Sequence, residues 1–108
     1  MNVNDKEEHT VIRLPQEINL YNASIIKEGV LSAVSKGTKR IVIDFSDVLY
    51  IDSSGIGSLI FARTNVIQNN CQLRIACIKD SVKKVFELTK LTSIFAIFDT
   101  VQEAIDSF

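Results

Sequence analysis

The sequence predicts an α/β fold: a mostly parallel central sheet of four or five strands flanked by about four helices. Apolar segments of strand length alternate with segments whose apolar residues follow the helical period, as in parallel β-α-β units. The run Ile41-Val42-Ile43 is continuously apolar, as in a central strand covered on both faces. Apolar residues make up 46% of 108 residues, and no linker or repeat divides them, so we expect one domain spanning 1–108.

The first half of the chain supplies strands and one helix. Pro15 stops the first clear strand, Asn22 is expected to cap the helix, and Gly37 is expected to terminate it. The buried face of that helix is predicted from the spacing of Ile26, Val30, Ala33 and Val34. The predicted elements are a weak strand at 1–5, a strand at 9–14, a loop at 15–20, a helix at 22–36 and a strand at 39–45.

The second half continues the alternation. A helix runs from Ser53 or Ser54 to Gln68, with apolar residues at Ile56, Leu59, Ile60, Val66 and Ile67. A strand at 72–78 places Leu73, Ile75 and Cys77 on one face. Asp80 or Ser81 caps a third helix with a buried side at Val82, Val85, Phe86 and Leu88 or Thr89. After a strand at 94–98, Thr100 and Glu103 have capping-box spacing for a last helix, whose apolar stripe is Val101, Ala104, Ile105 and Phe108.

Charge and composition exclude several functional classes. The net charge is −1 and the pI about 5.8, so no basic surface for nucleic acid is expected. No stretch approaches the roughly 20 apolar residues of a membrane span. The polar, acidic N-terminus lacks the pattern of a signal peptide, which predicts a cytoplasmic protein. Cys71 and Cys77 lie about 20 Å apart along a strand and His9 is the only histidine, so we expect reduced thiols, no metal and no cofactor.

Two loops are expected to form the functional surface. The loops that follow the carboxyl ends of parallel strands gather at one edge of the sheet. The turn at 52–57 lies on that edge. The loop at 15–21 joins it if the strand at 9–14 neighbours the strand at 39–45.

The turn at 52–57 places hydroxyl groups at the start of a helix. Backbone N–H groups are unpaired there, and the helix dipole favours an anion, so a phosphate added to Ser53 or Ser54 is tolerated. A purely structural interpretation also fits: one of the serines caps the helix, Asp52 offsets the dipole, and Gly55 and Gly57 permit tight packing. The residues alone leave both interpretations open.

The common enzyme constellations are not found in the sequence. There is no phosphate loop, no third glycine after Gly55 and Gly57, and no nucleophile elbow. His9 lies in a terminal segment with no nucleophile to activate. A metal held by Asp44 and Asp52 at the strand ends is the one catalytic alternative that stays open, although the lysine and threonine of such a site are not evident.

The segment 44–57 carries a specific pattern. It reads Asp44-Phe45-Ser46-Asp47-Val48-Leu49-Tyr50-Ile51-Asp52-Ser53-Ser54-Gly55-Ile56-Gly57. This resembles the STAS domain signature of bacterial anti-sigma factor antagonists, Asp-[Leu/Phe]-Ser-x-Val-x-[Phe/Tyr]-[Met/Ile]-Asp-Ser-[Ser/Thr]-Gly-[Leu/Ile]-Gly. The segment 82–91 resembles a family helix, and the order of elements agrees over essentially the whole chain. The resemblance therefore implies a STAS-type fold.

The same resemblance implies a regulatory protein and not an enzyme. In such antagonists the serine directly after the aspartate is phosphorylated, and here that residue is Ser53. The unphosphorylated antagonist binds an anti-sigma factor with serine kinase activity and releases sigma factor, and a metal-dependent serine phosphatase restores the hydroxyl. Neither nucleic acid nor membrane is an implied partner. The residues that support the phosphorylated loop are Asp52, Ser54, Gly55, Ile56 and Gly57.

One loop departs from the family pattern. Where the family has Gly-Glu-[Leu/Ile]-Asp, this chain has Gln16-Glu17-Ile18-Asn19. Asn19 keeps hydrogen bonding but loses a charge, so the partner or the efficiency of phosphorylation is expected to differ. The expected partner-binding residues are Glu17, Asn19, Tyr21, Ser53, Ser54 and Ile56.

Two alternatives remain beside the switch at Ser53. Ser46 and Ser54 lie close enough in sequence to be the phosphate acceptor instead. The chain is alternatively a STAS subunit of a transport or stress-sensing complex, in which binding is constitutive and independent of Ser53.

Overall fold

The computed structural model describes residues 8–108, so the weak strand predicted at 1–5 lies outside the described residues. The strands are β1 (His9–Arg13), β2 (Glu17–Ile18), β3 (Arg40–Asp44), β4 (Tyr50–Ile51), β5 (Gln72–Ala76) and β6 (Ala96–Phe98). The helices are α1 (Ser24–Ser35), α2 (Ser53–Gln68), α3 (Asp80–Leu88) and α4 (Val101–Asp106), and a 3₁₀ turn spans Leu91–Ser93. No helix within the described range is long and apolar enough to cross a membrane.

The strands form a parallel α/β architecture, which confirms the predicted fold class. The main sheet has four strands in the order β1-β3-β5-β6, and every neighbouring pair is parallel. β2 and β4 form a separate two-stranded parallel sheet. The prediction of a loop over 15–20 is wrong at these two strand residues, because β2 is held by its pairing with β4 and not by a local pattern.

The central strand β3 is buried on both faces, as its apolar run predicts. Ile41 and Ile43 belong to the large core beneath the helices α1, α2 and α3. Val42 lies on the opposite face and packs with Ala76 and with Ala104 of α4. The sheet is therefore covered by helices on both sides.

The end of α1 follows the prediction, but its start does not. Gly37 has φ +88° and its N–H donates to Val34 O, while the Thr38 N–H donates to Ala33 O, which makes a Schellman termination. The N-cap is Ala23, with no capping side chain. The prediction that Asn22 caps α1 is wrong, because the Asn22 side chain binds the preceding loop instead.

Several predictions for the second half need correction, and one is confirmed. β5 ends at Ala76, and Cys77, with φ +67°, packs with the cluster of Val42 and Ala104 instead of continuing the Leu73 face. The N-cap of α3 is Lys79 without a side-chain bond, so neither Asp80 nor Ser81 caps it. The expected capping box of Thr100 and Glu103 is present. Ile60 and Ile67, two of the apolar positions that follow the helical period in α2, are exposed, and so are both Leu88 and Thr89, the alternatives predicted for the buried side of α3.

Candidate functional site

The small β2-β4 sheet joins the two segments that were expected to form the functional surface. In its register Glu17 lies beside Tyr50 and Ile18 beside Ile51. The Asp52 N–H donates to Ile18 O at 3.0 Å, which continues the same ladder to the start of α2. The loop after β1 and the turn before α2 are thus in direct contact at the edge where the main strands end.

Asp52 is the N-cap of α2. Its backbone is extended, and its Oδ1 accepts hydrogen bonds from the N–H groups of Ser54 at 2.9 Å and Gly55 at 3.2 Å. A carboxylate at this place also opposes the positive end of the helix dipole. The structural interpretation in which Ser53 or Ser54 is the cap is therefore wrong, since the residue before them has that role.

Ser53 is the first residue of α2, and its side chain faces solvent. Within residues 8–108 its hydroxyl has no hydrogen-bond partner, and the N–H groups of Ser54 and Gly55 are bound by Asp52. Ser54 and Ser46 are half-buried. None of the three hydroxyls has a hydrogen-bond partner among residues 8–108, and Ser53 is the candidate acceptor on an exposed residue.

The two glycines of the turn have different roles. A Cβ on Gly55 would lie 2.5 Å from Ile51 Cγ1 and 2.7 Å from Ile18 Cγ2, whereas a Cβ on Gly57 would meet nothing within 4 Å. Gly55 is therefore required for the close approach of α2 to the β2-β4 sheet. Ile56 is half-buried and packs against the main core.

Side-chain amides organise the loop after β2. The Asn19 Nδ2 donates to Glu17 Oε1 at 3.0 Å, and Asn19 Oδ1 accepts from the Tyr21 N–H at 2.9 Å. Asn22 Oδ1 accepts from the Asn19 N–H at 2.8 Å, and its Nδ2 donates to Glu17 O at 2.8 Å. This role of Asn22 was not predicted from the sequence, although an Asn-x-x-Asn spacing in a short loop is a signal for it.

Large apolar side chains lie exposed along this edge. They are Tyr21 at 92%, Leu20 at 73%, Leu49 at 63% and Tyr50 at 53%. Leu49 and Tyr50 were not among the expected partner-binding residues, yet both of their N–H groups donate to Gln16 O and place them beside the β2 loop. Exposed apolar groups concentrated around one edge are typical of a protein-binding surface.

Of the acidic residues just before the turn, Asp47 is ion-paired and Asp44 is buried. Arg13 binds Asp47 through two hydrogen bonds of 2.9 and 3.1 Å, and this contact lowers the pKa of Asp47 and raises that of Arg13. The carboxylate of Asp44 is buried and its Oδ1 accepts from the Ser46 N–H. Burial, with Asp44 nearby, raises the pKa of the Cys77 thiol, which disfavours the reactive thiolate.

The described residues offer no metal centre at this edge. Across residues 8–108, no three side chains of His, Cys, Asp or Glu converge on a point that could hold an ion. Asp52 is engaged in capping, and His9 begins β1 at the opposite end of the sheet from the site. Cys71 and Cys77 are both free thiols.

Comparison with known proteins shows the family of this chain. The model of the STAS domain matches residues 1–104. The chain belongs to the STAS domain family, among the anti-sigma factor antagonists. A candidate anti-sigma factor antagonist of Thermotoga neapolitana is 31% identical over 101 residues, covering 92% of this chain and 89% of that protein.

Solved structures share the fold of this STAS chain. The crystal structure of a candidate anti-sigma factor antagonist from Thermotoga maritima has a TM-score of 0.80 and 28% identity, covering 97% of this chain and 88% of that one. The anti-sigma factor antagonist SpoIIAA in its unphosphorylated form has a TM-score of 0.69 and 24% identity, covering 99% of this chain and 93% of that one. At 24% identity, the likeness to SpoIIAA shows a shared fold.

Proposed function

We propose that this chain is a phosphorylation-switched anti-sigma factor antagonist. Its unphosphorylated form binds an anti-sigma factor that is also a serine kinase, and sigma factor is released. Phosphorylation of Ser53 blocks that binding, and a metal-dependent serine phosphatase reverses the block. Membership of a family of anti-sigma factor antagonists supports the partner class.

The observation that carries the proposal is the free hydroxyl of Ser53. It lies exposed in the first turn of a 16-residue helix, and within the described residues it makes no hydrogen bond. A kinase can reach it without unfolding the helix, and the fold loses no contact when it is modified. SpoIIAA, whose fold is shared, has been solved in a phosphorylated form as well.

The phosphate is expected to weaken binding of the partner without destabilising the fold. Phosphorylation adds nearly two negative charges beside Asp52, at a helix end that favours anions. A partner packed against a neutral serine and the exposed Tyr21 then meets charge and loses shape complementarity. A loss of about 3 kcal/mol in binding free energy lowers the affinity more than a hundredfold.

Catalysis belongs to the partner in this proposal. The kinase supplies ATP and magnesium, and the antagonist supplies the acceptor oxygen alone. The proposed contact surface comprises Glu17, Asn19, Tyr21, Ser53, Ser54 and Ile56, to which the geometry adds Leu49 and Tyr50.

A pull-down with three baits tests the switch. Wild type, Ser53→Ala and Ser53→Asp are immobilised, incubated with lysate of the source organism, and the bound proteins are identified by mass spectrometry. Ser32→Asp is the matched control, because Ser32 is an exposed serine on α1 outside the candidate site. We expect wild type, Ser53→Ala and Ser32→Asp to retain a kinase-type anti-sigma factor that Ser53→Asp loses.

The same experiment separates the alternatives. Incubation of the retained protein with ATP should phosphorylate wild type at Ser53 and leave Ser53→Ala unmodified. Equal retention of a transport or stress-sensing assembly by all baits would contradict the switch and favour a constitutive STAS subunit. Phosphate found at Ser46 or Ser54 would keep the switch but move its site.

A further inference from the structure

The side chain of Asn19 uses its two polar ends for different tasks. Its carbonyl Oδ1 accepts from the Tyr21 N–H at 2.9 Å and shapes the turn. Its Nδ2 donates to Glu17 Oε1 at 3.0 Å and holds the exposed carboxylate. Only an amide performs both tasks, since an aspartate accepts the first hydrogen bond but has no proton for the second.

The backbone beneath this pair is fixed as well. Asn22 binds the Asn19 N–H and Glu17 O through its own amide group. Ile18, between the two side chains, is fully buried. The hydrogen bond between Asn19 and Glu17 therefore spans a segment whose backbone is held by Asn22 and by the burial of Ile18, and it directs the carboxylate toward Asn19.

The parallel register places this pair beside the start of α2. Glu17 lies next to Tyr50 and Ile18 next to Ile51, and the Asp52 N–H donates to O of Ile18, the residue between Glu17 and Asn19. Glu17 and Asn19 flank Ile18, and the hydrogen bond between their side chains places both on one side of this segment. The backbone between Glu17 and Asn19 is thus hydrogen-bonded to Asp52, the residue before Ser53.

We propose that Asn19 is a specificity-determining positioning residue, which fixes Glu17 as the single carboxylate that receives a basic group, Arg or Lys, of the partner. This inference rests on the proposed function. The neutral amide leaves a neutral partner surface opposite position 19. An aspartate there would release Glu17 and present a second, unpaired carboxylate that binding must desolvate.

Three variants separate the position of the charge from the hydrogen bond. Asn19→Asp keeps the shape and the acceptor for the Tyr21 N–H but breaks the bond to Glu17. Glu17→Gln keeps an acceptor for Asn19 but removes the charge. The double variant combines Glu17→Gln with Asn19→Asp, so an amide at position 17 donates to a carboxylate at position 19. The bond is then restored with the charge moved to position 19.

Thermal unfolding tests the pair without any partner. We expect Asn19→Asp to lower Tm by about 3 °C in 50 mM NaCl and by less in 1 M NaCl, because salt screens the repulsion between adjacent carboxylates. The double variant should return to within about 1 °C of wild type. If the double variant stays as low as Asn19→Asp, the positioning bond does not exist and the inference is wrong.

Retention of the kinase in the pull-down tests specificity. We expect each single variant to retain at least tenfold less kinase than wild type, and the double variant to remain weak although its Tm recovers. If Asn19 only stabilises the loop, the double variant should recover both its Tm and its retention of the kinase. Wild-type retention by the double variant would therefore overturn the inference, while the switch at Ser53 would stand. If wild type itself shows no Ser53-dependent partner, the proposed function fails and the specificity role fails with it, whatever the melting curves show.

Discussion

Helices α2 and α4 each begin at an N-cap whose side chain accepts from the first turn, but their hydroxyl groups differ in role. At α4, Thr100 Oγ1 accepts from the Glu103 N–H at 3.0 Å, and the Glu103 carboxylate accepts from the Thr100 N–H at 3.2 Å. At α2, the carboxylate of Asp52 accepts from the equivalent N–H groups. The Thr100 hydroxyl at α4 is hydrogen-bonded, whereas the Ser53 hydroxyl at α2 has no hydrogen bond within residues 8–108.

The third residue of the helix also differs between α4 and α2. In α4 it is Glu103, whose long side chain completes a local capping box at the surface. In α2 it is Gly55, which is buried against Ile18 and Ile51. The start of α4 is stabilised by local hydrogen bonds, whereas the start of α2 combines the Asp52 cap with tertiary packing of Gly55, and this arrangement leaves the Ser53 hydroxyl accessible.

Gly55→Ala should have the largest effect, because it adds a Cβ at the tightest contact of the α2 start. The new carbon would lie within 3 Å of atoms of both Ile18 and Ile51, and relieving this overlap costs about 2 kcal/mol of unfolding free energy. Urea denaturation measures the loss. Gly57→Ala is the matched control: its Cβ meets nothing within 4 Å, so we expect a gain of up to about 1 kcal/mol from helix propensity. Equal effects of the two substitutions would show that packing does not set this helix start.

Asp52→Ala should have the next largest effect. It removes the acceptor for the N–H groups of Ser54 and Gly55, and loss of an N-cap costs about 1–2 kcal/mol. Asp52→Asn keeps a capping oxygen and should retain most of the stability, losing only the favourable interaction with the dipole. The assignment of the cap would be contradicted if Asp52→Ala unfolded at the same urea concentration as wild type.

Thr100→Ala tests the capping box of α4. It opens the capping box of α4 and should lower the unfolding free energy by about 1 kcal/mol, whereas Thr100→Ser keeps the hydroxyl and should lose less. Thermal or urea unfolding of both variants decides. A Thr100→Ala protein as stable as wild type would mean that the hydroxyl at α4 is as dispensable as the one at α2.

The sequence predicts what rests on regular patterns. The buried run of β3 gave the central strand, Gly37 gave the end of α1, and the spacing of Thr100 and Glu103 gave the capping box. Each of these features depends on residues close together in the chain. They were therefore visible before the fold was known.

Features that depend on distant partners were not predictable in this way. β2 and β4 have two residues each, which is too short for a period, and each exists because the other pairs with it. The motif indicates Asp52 and Ser53 as candidate site residues, but the sequence pattern does not determine which residue caps the helix. The bond between Asn19 and Glu17 depends on side-chain geometry in a loop that Asn22 folds, so the residue pattern gave only the replacement at position 19.

Ser53→Ala should have the smallest effect on stability, which would show that the hydroxyl at α2 takes no part in capping the helix. The hydroxyl makes no hydrogen bond within residues 8–108, so its removal should change the unfolding free energy by no more than about 0.5 kcal/mol. Ser53→Asp should also stay within about 0.5 kcal/mol, because the helix end that favours an anion offsets repulsion from Asp52. Urea denaturation of both, beside Asp52→Ala, is the measurement. A loss at Ser53→Ala equal to that at Asp52→Ala would mean that the hydroxyl caps α2 as Thr100 caps α4, and a residue needed for the fold would be a poor site for reversible modification.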